Sequence, residues 1–396
     1  MNIKRKMTLD MILNIIAVSV PIIVLQLVIY PLSAEILGAE KYGLMLTIYS
    51  VWIMVSNSLG NVLNNIRLIH NEKYEEEGIK GDFTILLKRW SIINIIVVFV
   101  AIIVYYRSFS ILHLILGTIV AFLIMLKAYL EVDFRIKLNY KSIVCNNFLQ
   151  AIGFSIGCFL LVCTRIWEFI FILGYLFSCI FCIVKTDLLK EERKKTKYYK
   201  NVNKDSNELI IASLIGNMMN YADKLVLYPL MGGHAVAIYY TATILGKIVG
   251  MLTSPINSVI LSYISKFGAS YKNTMYKALA AGTGVVVIGY ICTMIVGKPV
   301  MGVLFPQWVD DVMKYMPITT ITVGIMTIIA IIQPFVLKFC EMKWQILIMS
   351  CGSGMYFISA IVLWKFFGLM GFCVGTVIGA LVKLIIMLTV YKVNTN

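Results

Sequence analysis

Apolar residues fall in twelve blocks of roughly twenty along the chain, and short polar segments separate them. A helix needs about twenty residues, at about 1.5 Å of rise each, to cross about 30 Å of hydrocarbon. The predicted spans are 11–33, 43–66, 90–106, 109–126, 143–164, 169–184, 209–230, 235–264, 278–296, 315–337, 344–364 and 368–391. The pattern therefore predicts an all-α integral membrane protein with about twelve transmembrane helices.

Composition narrows the class of protein further. Of the 396 residues, 60% are apolar and only 14% are charged, whereas a soluble domain carries about 25% charge. This excludes a soluble enzyme, a nucleic-acid-binding module and a secreted disulfide scaffold. The formal net charge of +15 therefore does not predict a nucleic-acid partner.

The positive charges predict the orientation in the membrane. Of the 35 Lys and Arg residues, 26 lie on the side that holds both termini, and six lie on the opposite side. Basic loops stay in the cytoplasm, so both termini are predicted to be cytoplasmic. The first apolar block is too long for a signal peptide and is interpreted as an uncleaved span.

The longest polar stretch divides the spans into two groups of six. Residues 187–207 include a run of charges from Lys190 to Lys195, and such runs are typical of solvated linkers. We therefore predict an N-terminal six-helix lobe over 1–186, a basic cytoplasmic linker over 187–207, and a C-terminal six-helix lobe over 208–396.

A weak internal repeat supports this division. A shift of 194 positions aligns Leu37-Gly38-Ala39 with Met231-Gly232-Gly233, both on the predicted outer side. Six spans per half, with the same inside–outside sense, predict parallel lobes around a central cavity.

Sequence motifs for catalysis or for a resident cofactor are missing. The three histidines, His70, His113 and His234, are far apart and do not have the spacing of a metal site. The largest outward loop, about Gly297 to Lys314, is too small for a catalytic domain. We predict neither an enzyme nor a metal or cofactor site.

Polar residues inside the seventh span need a partner or water, because a charge at the centre of a membrane helix costs about 2.5–3.5 kcal/mol. Asn217, Asn220 and Lys224 share one helix face, and Asp223 lies beside them. Two interpretations remain open here: the face lines a cavity, or Asp223 and Lys224 extend to the outer interface.

Lys247 lies near the predicted bilayer midplane, too deep for its stem to reach the interface. Thr243, Ser254 and Asn257 extend a polar stripe along the same helix, which favours the lining of a cavity. Lys383, nearer the cytoplasmic end of the last span, either lines a cavity or extends to the interface.

The second span has a comparable stripe. Asn57, Asn61 and Asn64 recur at helical spacing, and Arg67 ends the series. Hydrogen bonding between helices is the alternative to a cavity lining. Within the spans the lysines outnumber the acids by three to one, and this surplus favours an anionic substrate.

Two segments resemble a known family. The turn Leu37–Gly43, and Ala222–Tyr240 followed by Pro255 and Ser258, resemble the polysaccharide flippases of the multidrug/oligosaccharidyl-lipid/polysaccharide (MOP) exporter superfamily. The chain is most similar to the Wzx-type O-antigen flippases of bacterial inner membranes. The resemblance covers the whole chain in topology and these two segments in specific residues.

This resemblance implies a MATE-like fold whose cationic cavity accepts the pyrophosphate of an undecaprenyl-linked oligosaccharide. Lys224 and Lys247 match positions where the family places basic residues facing the cavity, whereas Arg67 and Lys383 lie outside the matched segments. It also implies an inner-membrane location, lipopolysaccharide or other surface polysaccharide as the product, and membrane lipids and polysaccharide polymerase machinery as partners.

The expected mechanism is alternating access, in which the sugar–pyrophosphate headgroup crosses while the prenyl tail stays in lipid. Coupling to H⁺ or Na⁺ through Asp223 or Glu35 is an open hypothesis. Two alternatives remain: a multidrug exporter of the same superfamily, and an integral-membrane enzyme of envelope polysaccharide assembly.

Overall fold

The computed structural model of the chain describes residues 3–79, 81–106, 110–251 and 274–395. The described residues form helices joined by short turns, without a β-strand among them. The helices are α1 (Ile3–Val24), α2 (Tyr30–Trp52), α3 (Ser58–Glu76), α4 (Asp82–Tyr105), α5 (Ile111–Leu130), α6 (Val132–Ile136), α7 (Tyr140–Thr164), α8 (Glu168–Lys185), α9 (Tyr199–Met251), α10 (Thr274–Leu304), α11 (Val309–Phe339) and α12 (Met342–Thr395). π-Helical turns join α1 to α2 and α2 to α3.

Three long helices are each interrupted by one glycine with positive φ: α2 at Gly38, α9 at Gly232 and α12 at Gly368. When these helices are divided at the three glycines, every predicted span falls on a helical segment. The eighth predicted span is described only as far as Met251. Without that division, eight helices among the described residues are long and apolar enough to cross a membrane. The prediction of an all-α membrane protein is confirmed.

Large apolar side chains cover the outer faces of the helices. Val104 is 70% exposed, Val184 75% and Val303 81%. A soluble monomer rarely leaves so many large apolar side chains in water, so these faces fit contact with lipid.

The chain folds as two compact units, Met1–Val236 and Ala237–Asn396. Aromatic rings fill the first unit, where Trp52 packs on Trp167 at 5.4 Å and on Phe171 at 5.6 Å between ring centroids. Aliphatic residues of α11 and α12 fill the second unit. The predicted lobes, 1–186 and 208–396, follow the internal repeat, whereas the two units follow compactness. The division into these lobes stays a prediction.

Glycines bring helices together inside each unit. A Cβ built on Gly153 of α7 would lie 2.5 Å from the carbonyl oxygen of Leu173 in α8. In α12, a Cβ on Gly375 would lie 2.4 Å from the Cα of Ala360. Small residues at such positions let membrane helices pack backbone against backbone.

The linker contacts α3 and α4 at a few residues, while Lys190 and the run from Glu192 to Lys195 are exposed, as its charges predict. Asp82, at the start of α4, is fully buried. Its carboxylate accepts hydrogen bonds from the Thr196 backbone N–H at 2.8 Å, from the Thr196 hydroxyl, and from the Tyr74 hydroxyl at 2.5 Å. A buried carboxylate is stable only with such donors, so Asp82 fixes the linker to α3 and α4.

A second attachment of the linker uses the predicted site residue Arg67. Its guanidinium forms a two-pronged ion pair with Glu191, at 2.7 and 2.5 Å. The same group lies 4.8 Å from the centroid of the Phe83 ring and donates to the Tyr129 hydroxyl at 3.2 Å. This ion pair therefore explains Glu191 within the basic run, whereas the neighbouring Glu192 is exposed.

We expect Arg67→Ala to lower the free energy of unfolding by about 3–5 kcal/mol, because it leaves the Glu191 carboxylate buried without its partner. Thermal unfolding in detergent measures the loss. Lys190→Ala is the matched control, since the Lys190–Asp187 pair is 78% and 83% exposed and such pairs contribute little. Equal melting temperatures for wild type and Arg67→Ala would contradict this role of the ion pair.

Candidate functional site

The two glycines aligned by the internal repeat have the same backbone conformation. Gly38 has φ +74° and ψ +167°, and Gly232 has φ +79° and ψ −176°. This region of conformational space is essentially restricted to glycine, so both turns need glycine for the same reason. The finding supports the repeat, which rests on few residues in the sequence.

The two turns lie directly against each other at the predicted outer end of the first unit. A Cβ on Gly43 would lie 1.9 Å from the carbonyl oxygen of Gly233, and one on Gly233 would lie 2.0 Å from the carbonyl oxygen of Glu40. The backbones therefore touch, and neither glycine has room for a side chain.

Glu40 joins the two turns through its carboxylate. Its oxygens accept hydrogen bonds from the backbone N–H groups of Gly233 at 2.9 Å and His234 at 2.8 Å. These N–H groups begin the part of α9 that follows Gly232, and the positive end of a helix favours a carboxylate there. Sequence reasoning placed Glu40 within the first turn but did not assign it a role.

Lys224 is buried, with 7% of its surface exposed, although it lies in a span. Its ammonium lies 5.4 Å from the centroid of the Tyr221 ring, a distance that allows a cation–π contact. The carboxylate of half-buried Asp223 accepts a hydrogen bond from the Lys224 backbone N–H at 2.8 Å.

The polar face of α9 meets the second predicted stripe. The Asn217 side-chain amide donates to the Ser58 hydroxyl of α3 at 2.8 Å, and exposed Asn220 donates to Asn217 at 3.5 Å. Ser58 directly follows half-buried Asn57, and exposed Asn61 lies one turn further along α3. Two of the predicted polar stripes are therefore neighbours within the first unit.

The end of the asparagine stripe that is predicted to be cytoplasmic has a structural role. Asn64 donates to the Ala128 carbonyl at 2.9 Å and accepts from Arg135 at 2.7 Å. Arg135 also donates to Asn65 at 3.0 Å. Asn64 and Asn65 therefore form hydrogen bonds between helices, which is the alternative to a cavity lining that the sequence left open.

Lys247 is half-buried in the second unit. Its ammonium lies 4.8 Å from the centroid of the Tyr240 ring. The Thr243 hydroxyl, on the same stripe, donates to the Tyr240 carbonyl of its own helix at 2.7 Å. Ser254 and Asn257, like Pro255 and Ser258, lie outside the described residues.

Lys383 and Glu35 are the remaining predicted site residues. Lys383 is half-buried, and its stem packs against Gly352, where a Cβ would lie 2.7 Å from the lysine Cγ. Glu35 is exposed on α2.

A buried polar network in the first unit escaped the sequence analysis. Lys127 pairs with Glu131 at 2.9 Å, and its ammonium also donates to Asn147 at 3.2 Å. Asn146 links Glu131 to Ser178 through hydrogen bonds of 2.9 and 2.8 Å. Lys127 and Glu131 follow the fourth predicted span, so both were counted as loop residues, although their four-residue spacing is that of a helical ion pair.

Solved structures share this fold. The lipid II flippase MurJ in an inward closed conformation superposes with a TM-score of 0.74 at 14% identity, over 98% of this chain and 87% of that chain. A MATE family multidrug resistance transporter of the MOP superfamily matches in its inward-facing conformation, with a TM-score of 0.69 at 15% identity over 96% and 98% of the two chains. A MATE family multidrug resistance transporter in an outward-facing conformation gives a TM-score of 0.66 at 14% identity, over 98% of this chain and 95% of that chain.

No protein-family model and no curated protein matches the chain. At these identities the structural likeness shows the fold alone. The chain therefore has a MATE-like fold, shared by transporters and flippases.

Proposed function

We propose that the chain is a flippase that moves an undecaprenyl-pyrophosphate-linked oligosaccharide from the cytoplasmic to the outer leaflet of a bacterial inner membrane. The observation that carries this proposal is the pair of lysines, Lys224 and Lys247, retained inside apolar spans with their ammonium groups near tyrosine rings. Charges at such depth in a membrane protein are costly and mark a substrate path. A positive path favours an anionic headgroup.

A diphosphate leaving water needs new hydrogen-bond donors. Lysine ammonium groups supply three each, and the amides of Asn217, Asn220, Asn57 and Asn61 supply further donors along the predicted stripes. The sugars need both hydrogen-bond donors and hydrogen-bond acceptors, and amide side chains offer both. The prenyl tail stays in lipid throughout, because its transfer into water is unfavourable.

The membrane potential is sufficient to drive this movement outward. With the inside negative, each negative charge that crosses the full potential gains about 2.3 kcal/mol per 100 mV. A diphosphate with two charges therefore gains about 4–5 kcal/mol per 100 mV. ATP hydrolysis is not needed in this scheme.

Alternating access requires an outer end that closes and opens. We assign this step to the contact between the Gly38 and Gly232 turns of the first unit, where Glu40 binds two backbone N–H groups. Opening exchanges these two hydrogen bonds for bonds to water, which costs little net free energy. Such a contact is therefore suited to repeated cycles.

The other predicted site residues have lesser parts in this proposal. Arg67 holds the linker through Glu191, and Lys383 adds positive charge within the last span. Asp223 accepts a hydrogen bond from the Lys224 backbone N–H, and exposed Glu35 lies on α2, three residues before Gly38. Membrane lipids and polysaccharide polymerase machinery are the proposed partners, with both termini in the cytoplasm.

Deletion of the gene tests this proposal in cells. We expect loss of O-antigen or a similar surface polysaccharide, together with accumulation of its undecaprenyl-pyrophosphate-linked repeat unit on the cytoplasmic leaflet. Extraction of lipid-linked saccharides with and without external enzymatic labelling measures both. Normal surface polysaccharide in the deletion strain would contradict the proposal.

The likeness to a MATE family transporter favours a second candidate, a multidrug exporter. Such an exporter of organic cations needs acidic residues inside its spans, whereas the in-span charges here are mainly lysine. The same deletion strain separates the two candidates: increased sensitivity to cationic drugs with unchanged polysaccharide supports the exporter.

A further inference from the structure

A group of positive side chains in the linker has no part in the proposed function. Between Lys190 and Lys200 the sequence has six Lys or Arg residues and two Glu residues. Arg193, Lys194 and Lys195 are consecutive and all exposed. Lys200, near the start of α9, is exposed as well. Residues 190–200 therefore form a basic surface that presents positive charge to its surroundings.

Two of the acidic side chains around the basic surface are bound by cations of the chain. Glu191 pairs with Arg67, and Glu77 at the end of α3 pairs with Lys197 at 2.7 Å. Glu192 is exposed and offsets one of the three positive charges at 193–195. The basic surface therefore keeps a net positive charge, which an anion from outside the chain can neutralise.

The backbone of the basic surface is held against the start of α4. The Thr84 hydroxyl donates to the Glu192 carbonyl at 3.1 Å, and the Lys194 carbonyl oxygen lies so close to Gly81 that a Cβ there would collide with it. The Glu191 ion pair holds the start of the same segment. Blocks of like charge are usually disordered, whereas this one is fixed in place. A preorganised surface loses less conformational entropy when it binds a partner.

The basic surface lies between two predicted spans, at the predicted cytoplasmic interface. α8 ends at Lys185, one residue after the sixth predicted span, and Arg67 directly follows the second. Leu189, just before the basic surface, is 41% exposed, and an apolar side chain fits the boundary between headgroups and acyl chains. An anionic leaflet attracts Lys and Arg side chains over about 8–10 Å at physiological salt. Phospholipid headgroups are therefore the anions closest to the basic surface.

We propose that Arg193, Lys194 and Lys195 bind the phosphate groups of anionic phospholipids in the cytoplasmic leaflet. The Arg193 guanidinium can hold one phosphate through two N–H groups, and the two ammonium groups add positive charge beside it. A zwitterionic lipid should bind less tightly, because its own cation cancels the charge of its phosphate. The inference concerns lipid recognition and does not depend on the substrate of the proposed flippase.

Lipid binding by the purified chain in a neutral detergent tests this inference. Dye-labelled phosphatidylglycerol is the anionic probe, and dye-labelled phosphatidylcholine is the zwitterionic one. Wild type should prefer phosphatidylglycerol, and Arg193→Gln/Lys194→Gln/Lys195→Gln should weaken its binding on the order of 100-fold at low salt. This magnitude corresponds to about fivefold for each cation near a lipid surface.

A matched triple variant separates the basic surface from the net charge of the protein. Lys137→Gln/Lys141→Gln/Lys392→Gln also removes three exposed lysines from the predicted cytoplasmic side, and it should bind phosphatidylglycerol as wild type does. Both triple variants should melt at the wild-type temperature, because exposed side chains contribute little to stability. Glu192→Lys changes the charge in the opposite direction and should tighten binding severalfold.

Salt and soluble anions complete the test. Raising the salt concentration from about 0.05 to 0.5 M should weaken phosphatidylglycerol binding by wild type and by the matched variant, because salt screens exposed charges. Equal binding by wild type and Arg193→Gln/Lys194→Gln/Lys195→Gln would overturn the inference. Displacement of phosphatidylglycerol by an equal concentration of inorganic pyrophosphate, or by polyglutamate at equal charge, would also overturn it, because the surface would then recognise soluble anions. None of these measurements involves translocation, so the flippase proposal and this inference can fail separately.

Discussion

Lys247→Ala is expected to slow the translocation of a diphosphate-linked lipid by roughly ten- to hundredfold. The substitution removes an ammonium from the interior of a span, and hydrogen bonds to charged groups contribute about 1.5–3 kcal/mol each. Lys224→Ala is expected to slow translocation at least as much, since Lys224 is buried whereas Lys247 is half-buried. Headgroup exposure in proteoliposomes measures the rate for each variant.

In the proposed mechanism, the positive charge of each lysine, rather than its aliphatic stem, accelerates translocation. Lys247→Arg and Lys224→Arg should therefore retain much of the rate, whereas Lys247→Met should not. Lys365→Ala removes an exposed lysine and serves as the matched control, with a rate equal to that of wild type. Equal rates for Lys247→Met and Lys247→Arg would show that the charge is not used.

Gly43→Ala is expected to separate the two glycine turns and to reduce translocation strongly. Its methyl group would meet a backbone carbonyl oxygen at 1.9 Å, and backbone cannot rotate away as a side chain can. Overpacking of this kind costs about 1–3 kcal/mol, which is comparable to what two hydrogen bonds contribute. A lower melting temperature and a lower translocation rate are the expected results.

Gly216→Ala is the control for this substitution, because a Cβ on Gly216 would meet nothing within 4 Å. It should leave melting temperature and translocation unchanged or slightly improved. Glu40→Gln keeps the turns in contact but weakens the hydrogen bonds to Gly233 and His234, so a smaller loss is expected. If Gly43→Ala and Gly216→Ala behave alike, the contact between the turns has no part in the cycle.

The helices were predictable from the sequence. Uninterrupted apolar blocks of about twenty residues admit one structure in a bilayer, because backbone groups in lipid must be satisfied within the helix. The pairing of Gly38 with Gly232 was visible only as a short alignment, and the backbone angles explain it. The apolar blocks and the short motif around each glycine are patterns of neighbouring residues, which a sequence shows directly.

The contacts of the linker were not predictable. Asp82 and Thr196 are 114 positions apart, and Arg67 and Glu191 are 124 apart. Nothing local in the sequence shows that Asp82 binds Thr196 of the linker or that Arg67 binds Glu191. The structure also shows that α9, as far as Val236, belongs to the first compact unit.

The polar residues within spans were predictable as a set but not in their individual roles. Asn64 bonds to a neighbouring helix, whereas Asn61, on the same stripe, is exposed. Glu168 was counted as a loop acid, although it is fully buried. Helical spacing gives the face of a residue, but the partner on the facing helix decides its role.

The most direct test of the account measures flipping by the purified chain in proteoliposomes, with a polyprenyl-diphosphate-linked oligosaccharide as substrate. Wild type should expose the headgroup on the opposite leaflet faster than protein-free liposomes do, and Lys224→Ala/Lys247→Ala should match the protein-free rate. The double variant flipping as fast as wild type, at equal protein content, would contradict the claim that these two lysines carry the diphosphate across.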